Sequence, residues 1–413
     1  MINICLDLSA AMQQSAGISR YEAQIASSLV NLDSPEAYSI FYTSPKPVRF
    51  ADKLNSNLAH LPRRSILVGN KTWRLKLLLW HILNFKVDKQ IFPTGVLRPR
   101  IFHGMGFIAP PLETASVITI LDLSFLLYPQ LHSRYNRMYS RLVLPMCVAK
   151  ASRILVISEN TGHDLVNWLG SKISYKIRVT PLGVSDETYF EDLPLSQLQA
   201  ELSIYNLTPR SYVLSVGTIE PRKNLPRLIA AYAELIKNWN QMETEKPALL
   251  LVGRPGWNEE YNRVKATATK FGLTIQENLP QTAAGQILLL TQVSDSTLKS
   301  LYQGAAVTCY PSLYEGFGLP ALEALAAGSP LITSNNSSLP EVTGTDGGAA
   351  LLINPTDIAQ LTRSLQLLLG NQDLAQRLRL AGRERARLFT WKRTAELTRQ
   401  AYHEIYSETE TDN

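Results

Sequence analysis

The chain is poor in cysteine and arranges it in no recognisable pattern. Its 413 residues include three cysteines, Cys5, Cys147 and Cys309, which are far apart and lie within apolar stretches. A disulfide framework or a cysteine-based zinc site needs different spacings, so the sequence argues against both. The pattern is typical of buried free thiols.

Long apolar runs are missing as well. No window reaches the ~18 uninterrupted apolar residues of a membrane-spanning helix. The N-terminal sequence MINICLDLSA has neither the basic start nor the long apolar core of a secretory signal peptide, and it predicts a strand instead. We therefore expect a cytoplasmic protein, with peripheral contact at the inner membrane face left open.

Strong charge of either sign is also absent. Charged residues make up 18% of the chain and hydrophobic residues 45%, which indicates a globular protein rather than a disordered one. The net charge of +6 suits a protein that handles nucleotide phosphates or lies near anionic lipid. Lysine and arginine are scattered and no nucleic-acid-binding motif has a recognisable spacing, so nucleic acid is not an expected partner.

The length and the order of segments predict two α/β domains of about 200 residues each. Strand-like apolar runs alternate with amphipathic helical runs, which is typical of parallel sheets covered by helices. The predicted strands of the first half are residues 2–8, 38–42, 100–103, 117–122, 154–158 and 176–181. Those of the second half are residues 212–217, 248–253, 286–291, 305–311 and 330–335. Two such series predict two Rossmann-like domains joined in the polar stretch 183–210.

The most informative segment is residues 310–341, YPSLYEGFGLPALEALAAGSPLITSNNSSLPE. It predicts a strand, a glycine-bearing turn, and a helix that is begun by Pro320 and ended by Gly328. Backbone N–H groups at such a helix start favour an anion such as a phosphate. Gly316 and Gly318 would let the backbone come close to it.

Two carboxylates flank this turn. Glu315 lies in the turn and Glu323 near the start of the helix, so both can reach one ligand from different directions. A molecule that offers phosphate to amides and hydroxyls to carboxylates is a nucleotide sugar. A lone glutamate here is more often solvated or simply suited to the helix dipole, so the interpretation depends on the whole segment.

A second segment, SVGTIEPRKNLPRLIAAYAEL at residues 215–235, predicts a strand, a turn with two adjacent cations, and a helix. Arg222 can bind a diphosphate bidentately and Lys223 can act as a point charge. Together they would stabilise a nucleoside diphosphate as it leaves. Taken alone, two adjacent basic residues are more often part of a solvated loop.

The two segments together resemble a known enzyme family. EGFGLPALEALAAGSP resembles the E-x7-E region of retaining glycosyltransferases with the GT-B fold, in particular glycosyltransferase family 4, and EPRKN resembles the family's diphosphate motif. The pairing of the two is similar to that of bacterial polysaccharide mannosyltransferases. The resemblance implies two Rossmann-like domains whose parallel sheets face each other across a cleft. It implies an acceptor domain over 1–185, a donor domain over 186–389, and a last helix, 390–413, that crosses back onto the first domain.

The resemblance also implies roles for individual residues. Glu315 would contact the hydroxyls of the donor sugar and Glu323 the ribose, and the loop 292–295 would hold the nucleobase. Donor-binding roles are implied for Gly17, Arg222, Lys223, Gly316, Phe317, Gly318, Leu319 and Glu323. Gly17 belongs to the SAGISRYE segment, where the family usually has two adjacent glycines and this chain has Ala16 at the first.

The acceptor side departs from the family pattern. Relatives often have T-x-H-D at a strand end, whereas this chain has Thr119, Ile120, Leu121 and Asp122, so the histidine position is leucine. Asp122 is then the nearest polar candidate for a catalytic role. His103, in FHGMGF, also matches a position where relatives present a histidine to the cleft, although a lone strand-end histidine is more often structural.

The segment 61–89 joins basic residues to tryptophan, leucine and phenylalanine. It could lie on an anionic membrane and serve a lipid-linked acceptor. A core-packing helix is the favoured interpretation, because the apolar positions almost encircle the helix and that pattern indicates burial.

Together these observations predict a retaining, metal-independent hexosyltransferase that moves mannose from GDP-mannose to a glycan or lipid-linked acceptor in polysaccharide biosynthesis. The resemblance implies that the leaving phosphate helps to deprotonate the acceptor, so no enzymic nucleophile is expected. The nucleotide sugar is expected as a substrate, and no cofactor is expected. No Asp-x-Asp pair follows a strand, so a diphosphate held without metal is the simpler model. A catalytically silent protein that binds a nucleotide sugar or a membrane is the alternative, and a GT-B epimerase or phosphorylase is less favoured.

Overall fold

The computed structural model describes residues 2–13, 16–33, 35–46, 56–93, 98–184, 187–239, 245–256, 259–278 and 286–411. Contacts between residues group the chain into two units, Met1–Gly183 with Thr390–Asn413, and Val184–Phe389. Each unit has its own parallel sheet and its own apolar core.

The first unit contains a sheet of seven parallel strands in the order β3-β2-β1-β4-β5-β6-β7. The strands are β1 (Asn3–Asp7), β2 (Ala37–Ser44), β3 (Arg63–Leu67), β4 (Ile101–Gly104), β5 (Ala115–Ile120), β6 (Arg153–Val156) and β7 (Ile177–Val179). The helices between them are α1 (Ser9–Gln13), α2 (Ala16–Val30), α3 (Asn70–Ile82), α4 (Asp88–Ile91), α5 (Ser124–Leu127), α6 (Arg134–Lys150) and α7 (Glu159–Leu169). Strands β4 and β6 are buried along their whole length, as expected for parallel strands covered on both faces.

The second unit repeats this plan with strand order β10-β11-β9-β8-β12-β13-β14. Its strands are β8 (Tyr212–Val216), β9 (Ala248–Val252), β10 (Ile275–Glu277), β11 (Ile287–Leu290), β12 (Val307–Tyr310), β13 (Leu331–Ser334) and β14 (Leu351–Ile353). Its helices are α8 (Leu195–Ser203), α9 (Leu225–Lys237), α10 (Glu260–Lys270), α11 (Asp295–Gly304), α12 (Leu319–Ala326), α13 (Leu339–Thr343), α14 (Ile358–Gly370) and α15 (Gln372–Ala386).

The last helix, α16 (Trp391–Thr411), belongs to the first unit and packs against α2. Gly183 is needed where the chain meets this helix, because a Cβ there would lie 2.1 Å from the backbone nitrogen of Trp391. Farther along, Tyr402 of α16 reaches the ring of His103 in β4. Within the described part of the chain, no helix combines the length and apolar character needed to cross a bilayer.

Three strands, β3, β10 and β14, are missing from the sequence-based prediction. All three lie at the edge of a sheet and have three to five residues. An edge strand has one neighbour and no need for a continuous apolar run, so RRSIL in β3 does not show the pattern used for the central strands.

The prediction for the segment 61–89 is wrong in part. Residues 63–67 form β3, and only residues 70–82 form the helix α3. Trp73 and Leu77 of α3 are buried in the core of the unit, but Leu75 and Leu79 are 55% and 45% exposed. Apolar residues do encircle the helix, yet burial covers one of its faces only.

Candidate active site

Two strand-to-helix turns of the second unit meet at one edge of its sheet. β8 and β12 are neighbouring parallel strands, so the turns that follow them lie side by side at the carboxyl ends. The first turn leads to α9 and the second to α12. The backbone N–H of Leu313 donates to the carbonyl of Arg222 at 2.7 Å and ties the two turns together.

Glu315 connects the two predicted cations. Its Oε1 accepts from Lys223 Nζ at 2.6 Å and from the hydroxyl of Tyr310 at 2.7 Å. Its Oε2 accepts from the guanidinium of Arg222, which also donates to the carbonyl of Tyr314 at 3.3 Å. Lys223 Nζ donates to Tyr310 as well. The structure therefore brings Glu315, Arg222 and Lys223 into direct contact, as the separate motifs could not establish.

Burial makes these contacts electrostatically strong. Glu315 and Lys223 are 5% and 7% exposed. Burial by itself would raise the pKa of Glu315, but Arg222 and Lys223 outweigh it and lower that pKa to about 2. Burial, and then the neighbouring Arg222, lower the pKa of Lys223. The short contacts of its Nζ to a carboxylate and a phenol favour the charged ammonium.

A second carboxylate completes this group. Glu220 forms an ion pair with Arg222 Nε and is 2% exposed. Burial raises its pKa against the opposing effect of Arg222 and Lys223. We call Glu220, Arg222, Lys223 and Glu315 the charge cluster. Its two cations and two acids balance each other, and only Arg222 has appreciable solvent access, with 21% of its side chain exposed.

The start of α12 depends on the backbone conformation of Gly318. Gly318 has φ of 106° and caps the helix, and a Cβ there would lie 2.7 Å from Leu339, so this position requires glycine. Because the N-cap residue is glycine, it has no side chain that could cap the helix start. The hydroxyl of Ser338 donates to the carbonyls of Glu315 and Phe317, both at 2.9 Å, and fixes the turn.

The other predicted residues of this turn have separate places. Glu323 is buried in α12, where its Oε2 accepts from the hydroxyl of Tyr302 at 3.3 Å. The side chain of Phe317 packs edge-on against Phe389, with ring centroids 5.8 Å apart, so its direct role is in the core. Gly316 is buried in the turn and Leu319 is half-buried at the first position of α12.

Sequence reasoning missed Tyr310 and Glu220 as members of this site, and Asn224 as its support. Asn224 has a left-handed φ of 61°, and its side-chain amide donates to the carbonyls of Pro311 and Pro355 at 3.0 and 2.7 Å. Tyr310 at a strand end and Glu220 beside two cations were the signals available in the sequence. The loop 292–295 lies after β11, where Ser294 caps α11.

His103 does not fit the predicted cleft role. It is fully buried in the first unit, its Nδ1 shares a hydrogen bond with Tyr402 at 2.6 Å, and its Nε2 shares one with Thr119 at 2.8 Å. Burial lowers its pKa to about 3, so the ring is neutral. Both nitrogens are occupied by neighbours, which indicates a structural link between β4, β5 and α16.

Asp122 and Gly17 also lie in the first unit. Asp122 is half-buried after β5, and its Oδ1 accepts from the backbone and hydroxyl of Ser124, the first residue of α5, at 3.1 and 2.8 Å. Gly17 lies in the first turn of α2, is exposed, and has open space where a Cβ would be. Neither packing nor backbone conformation requires glycine there. Leu121 is buried at the end of β5.

A polar pocket in the first unit was not predicted. It has a volume of about 210 Å³ and its lining includes Asp7, Glu22, Asn70, Arg74 and Tyr139. Burial raises the pKa of Asp7 to about 6, and burial followed by the charge of Asp7 raises the pKa of Glu22 well above its usual value. The Tyr139 hydroxyl is buried and has no hydrogen-bond partner among the described residues. The signal in the sequence was Asp7 at the carboxyl end of the first strand.

Comparisons with known proteins agree with this architecture. Residues 204–385 match the family model described as Glycosyl transferases group 1. The chain is 29% identical over 397 residues to the O-antigen chain mannosyltransferase B of Escherichia coli, with 94% of this chain and 95% of the relative covered.

Solved structures show the same fold at low sequence identity. Sucrose-phosphate synthase from Thermosynechococcus elongatus aligns with a TM-score of 0.72 and 20% identity, covering 99% of this chain and 100% of the other. Anabaena HepE in complex with UDP-glucose aligns with a TM-score of 0.68 and 15% identity, covering 98% and 100%. These likenesses confirm the predicted α/β fold with two Rossmann-like units.

Proposed function

We propose that this chain, which has the fold of GT-B glycosyltransferases and resembles bacterial mannosyltransferases, transfers a hexose with retention of configuration and without a metal ion. GDP-mannose is the donor we propose, and a glycan or lipid-linked glycan of polysaccharide biosynthesis is the acceptor. The observation that carries the proposal is the contact of Glu315 with both Arg222 and Lys223 at the start of two adjacent turns.

In this proposal the charge cluster binds the leaving group. Arg222, the most exposed member, would exchange part of its contact with Glu315 for the donor diphosphate, and Lys223 would add a fixed positive charge beneath it. At the start of α12 the backbone N–H of Leu319 would add a donor, since Pro320 has no N–H and those of Ala321 and Leu322 donate to the carbonyl of Gly318. Glu315 would then orient a sugar hydroxyl. Stabilising the departing diphosphate lowers the barrier to breaking the bond between the anomeric carbon and the phosphate oxygen.

The acceptor step needs no enzymic nucleophile in this scheme. The acceptor hydroxyl attacks the face of the anomeric carbon from which the diphosphate leaves, and the leaving phosphate oxygen takes its proton. We place the acceptor in the pocket lined by Asp7, Glu22 and Tyr139, because two carboxyl groups and an unpaired phenol suit sugar hydroxyls.

A donor screen tests the proposal. The protein is incubated with GDP-mannose, GDP-fucose, UDP-glucose and UDP-galactose, each with a mannose-terminated glycan, and release of the nucleoside diphosphate is followed. We expect GDP to be released from GDP-mannose, and faster when the glycan is added. The Lys223→Met variant should release none. Lys265→Met is a matched control, since Lys265 forms an exposed ion pair with Glu277 at the same 2.6 Å distance but outside the site. Indifference to every donor would refute the proposal.

A catalytically silent binding protein is the second candidate. Leu121 stands where relatives have a histidine, and His103 is sealed in the core. If this candidate is correct, GDP-mannose binds without turnover and Leu121→His restores transfer. Turnover by the unaltered protein would dismiss it.

A further inference from the structure

The outward face of α3 carries an apolar stripe that the described residues leave exposed. Leu75, Leu79 and Ile82 follow one another at helical spacing and are 55%, 45% and 61% exposed. Leu83 and Phe85 continue the stripe beyond the helix and are 71% and 49% exposed. The opposite face of α3 packs into the core, so core packing does not account for the apolar residues of the stripe.

The neighbouring helix α6 extends this surface. α3 packs against α6, and Arg74 joins them by donating to the side chain of Asn136 at 2.7 Å. The exposed face of α6 adds Tyr135, Met138 and Leu142, which are 47%, 61% and 52% exposed. We call these eight exposed apolar residues of the two helices and the turn after α3 the α3–α6 surface. A concentration of exposed apolar residues on two packed helices indicates an interaction site rather than ordinary surface.

The two segments that carry the α3–α6 surface have charge of mostly one sign. The segments 63–89 and 134–150 contain eleven lysines and arginines and one acid, Asp88, which is buried. The exposed cations are Arg63, Lys71, Lys76, Lys86, Lys89, Arg134, Arg141 and Lys150. These segments carry more net positive charge than the whole chain, whose net charge is +6, so the rest of the chain is net negative.

We propose that the α3–α6 surface docks on an anionic lipid bilayer. An apolar stripe edged by lysine and arginine lies at the membrane interface with its leucines in the acyl boundary, while the cations reach the phosphate headgroups. A second copy of this chain is a poorer occupant, because a twofold interface would bring the same cations of both copies together.

The two helices that carry the docking surface also contribute to the first-unit pocket. Asn70 and Arg74 of α3 and Tyr139 of α6 line that pocket and belong to the two helices that carry the surface. A docked membrane would hold a lipid-linked acceptor close to the unit that contains the pocket. Only this last step rests on the proposed function, since docking itself involves no donor and no transfer.

Co-sedimentation with vesicles tests the proposal. The full chain is mixed with vesicles of phosphatidylcholine, with and without phosphatidylglycerol, at low and high salt. We expect binding to the anionic vesicles only, weakened by salt. Leu75→Gln, Leu79→Gln and Ile82→Gln combined should abolish it, since glutamine preserves the helix and removes the apolar contact. Lys71→Glu with Lys76→Glu should weaken it by on the order of a hundredfold.

Matched controls exist in the second unit. Leu367, Leu380 and Leu388 are 47%, 59% and 64% exposed, so their combined replacement by glutamine removes a similar apolar area elsewhere. Lys237→Glu with Lys270→Glu makes the same charge change on exposed lysines. Both controls should bind vesicles like the unaltered protein.

The contrary outcomes are equally clear. The proposal is overturned if the unaltered protein ignores anionic vesicles, or if the α3 variants and the control variants lose binding equally. It is also overturned if analytical ultracentrifugation shows that the unaltered protein is a dimer and that only the α3 variants are monomers, since a second copy would then occupy the surface. Release of GDP in the donor screen does not enter this test, so failure of docking and failure of the proposed function are distinguishable.

Discussion

Replacing Glu315 by glutamine should destabilise the second unit as well as abolish transfer. The change leaves Lys223, which is 7% exposed, without a carboxylate in direct contact, while Arg222 stays beside it as a like charge. Breaking a buried ion pair by removing one partner costs about 3–5 kcal/mol. For a unit of this size a loss of 1 kcal/mol lowers Tm by roughly 2–4 °C, so we expect a fall of roughly 10 °C.

A double-mutant cycle separates the pair from its surroundings. Lys223→Met alone should cost less than Glu315→Gln, because Glu315 keeps Arg222. The double variant should be no less stable than Glu315→Gln alone, since it leaves no unpaired ammonium. Differential scanning calorimetry of the full chain measures each Tm. Lys265→Met with Glu277→Gln, an exposed pair of the same length, should leave Tm almost unchanged.

The pH dependence supplies a second readout. Because the pKa of Glu315 is lowered from 4.5 to about 2 in the folded protein, its stabilising effect is complete above about pH 4.5 and is lost as the pH falls toward 2. The gap in Tm between the unaltered protein and Glu315→Gln should therefore narrow in acid. A gap below two or three degrees at pH 7, or strictly additive single changes, would refute the account of the charge cluster.

Three further changes have definite expectations. Asp7→Asn removes a carboxyl whose pKa is raised by burial from 3.8 to about 6, so it should stabilise the first unit by about 3 kcal/mol at pH 8. The gain should vanish as the pH falls toward 4, as thermal melts at several pH values would show. Arg222→Lys keeps the charge but loses the planar fork shared with Glu220 and Glu315, so calorimetric titration should give donor affinity lower by about tenfold. In Gly17→Ala the new methyl group enters open space on a helix, so Tm should stay the same or rise slightly. A loss of transfer at unchanged Tm would support the predicted close approach of the donor, whereas full activity would remove Gly17 from the site.

Much of the fold is predictable because the central parallel strands are continuous apolar segments of the sequence. The sequence predicts β8, β9 and β12 to within two residues at each end, since strands covered on both faces need a continuous hydrophobic segment. Edge strands such as β3 are not predicted, because they need no continuous hydrophobic segment. The exposure of one face of α3 is not predicted either, because sequence periodicity shows which residues are apolar but not which of them pack against the core.

The candidate site divides in the same way. Motif spacing predicts that Arg222, Lys223 and Glu315 each follow a strand, but their mutual contact depends on β8 and β12 being neighbours, which strand order alone determines. His103 is the converse case. Its position at a strand end resembles a functional one, and only the packing of Tyr402 from the far end of the chain shows that both ring nitrogens are already bonded.

The balance of the charge cluster changes what the two cations mean. Considered as a motif, Arg222 and Lys223 form an open site for a diphosphate; in the folded unit, Glu220 and Glu315 neutralise them. An isolated buried Lys–Arg pair would repel itself and lose its protons more easily, so the acids keep the cations charged and in place before any anion arrives. Glu220, whose pKa burial raises, is then the member that most readily takes up a proton as negative charge enters the site. The carboxylates of the motif are therefore as much a support for the cations as contacts for a sugar.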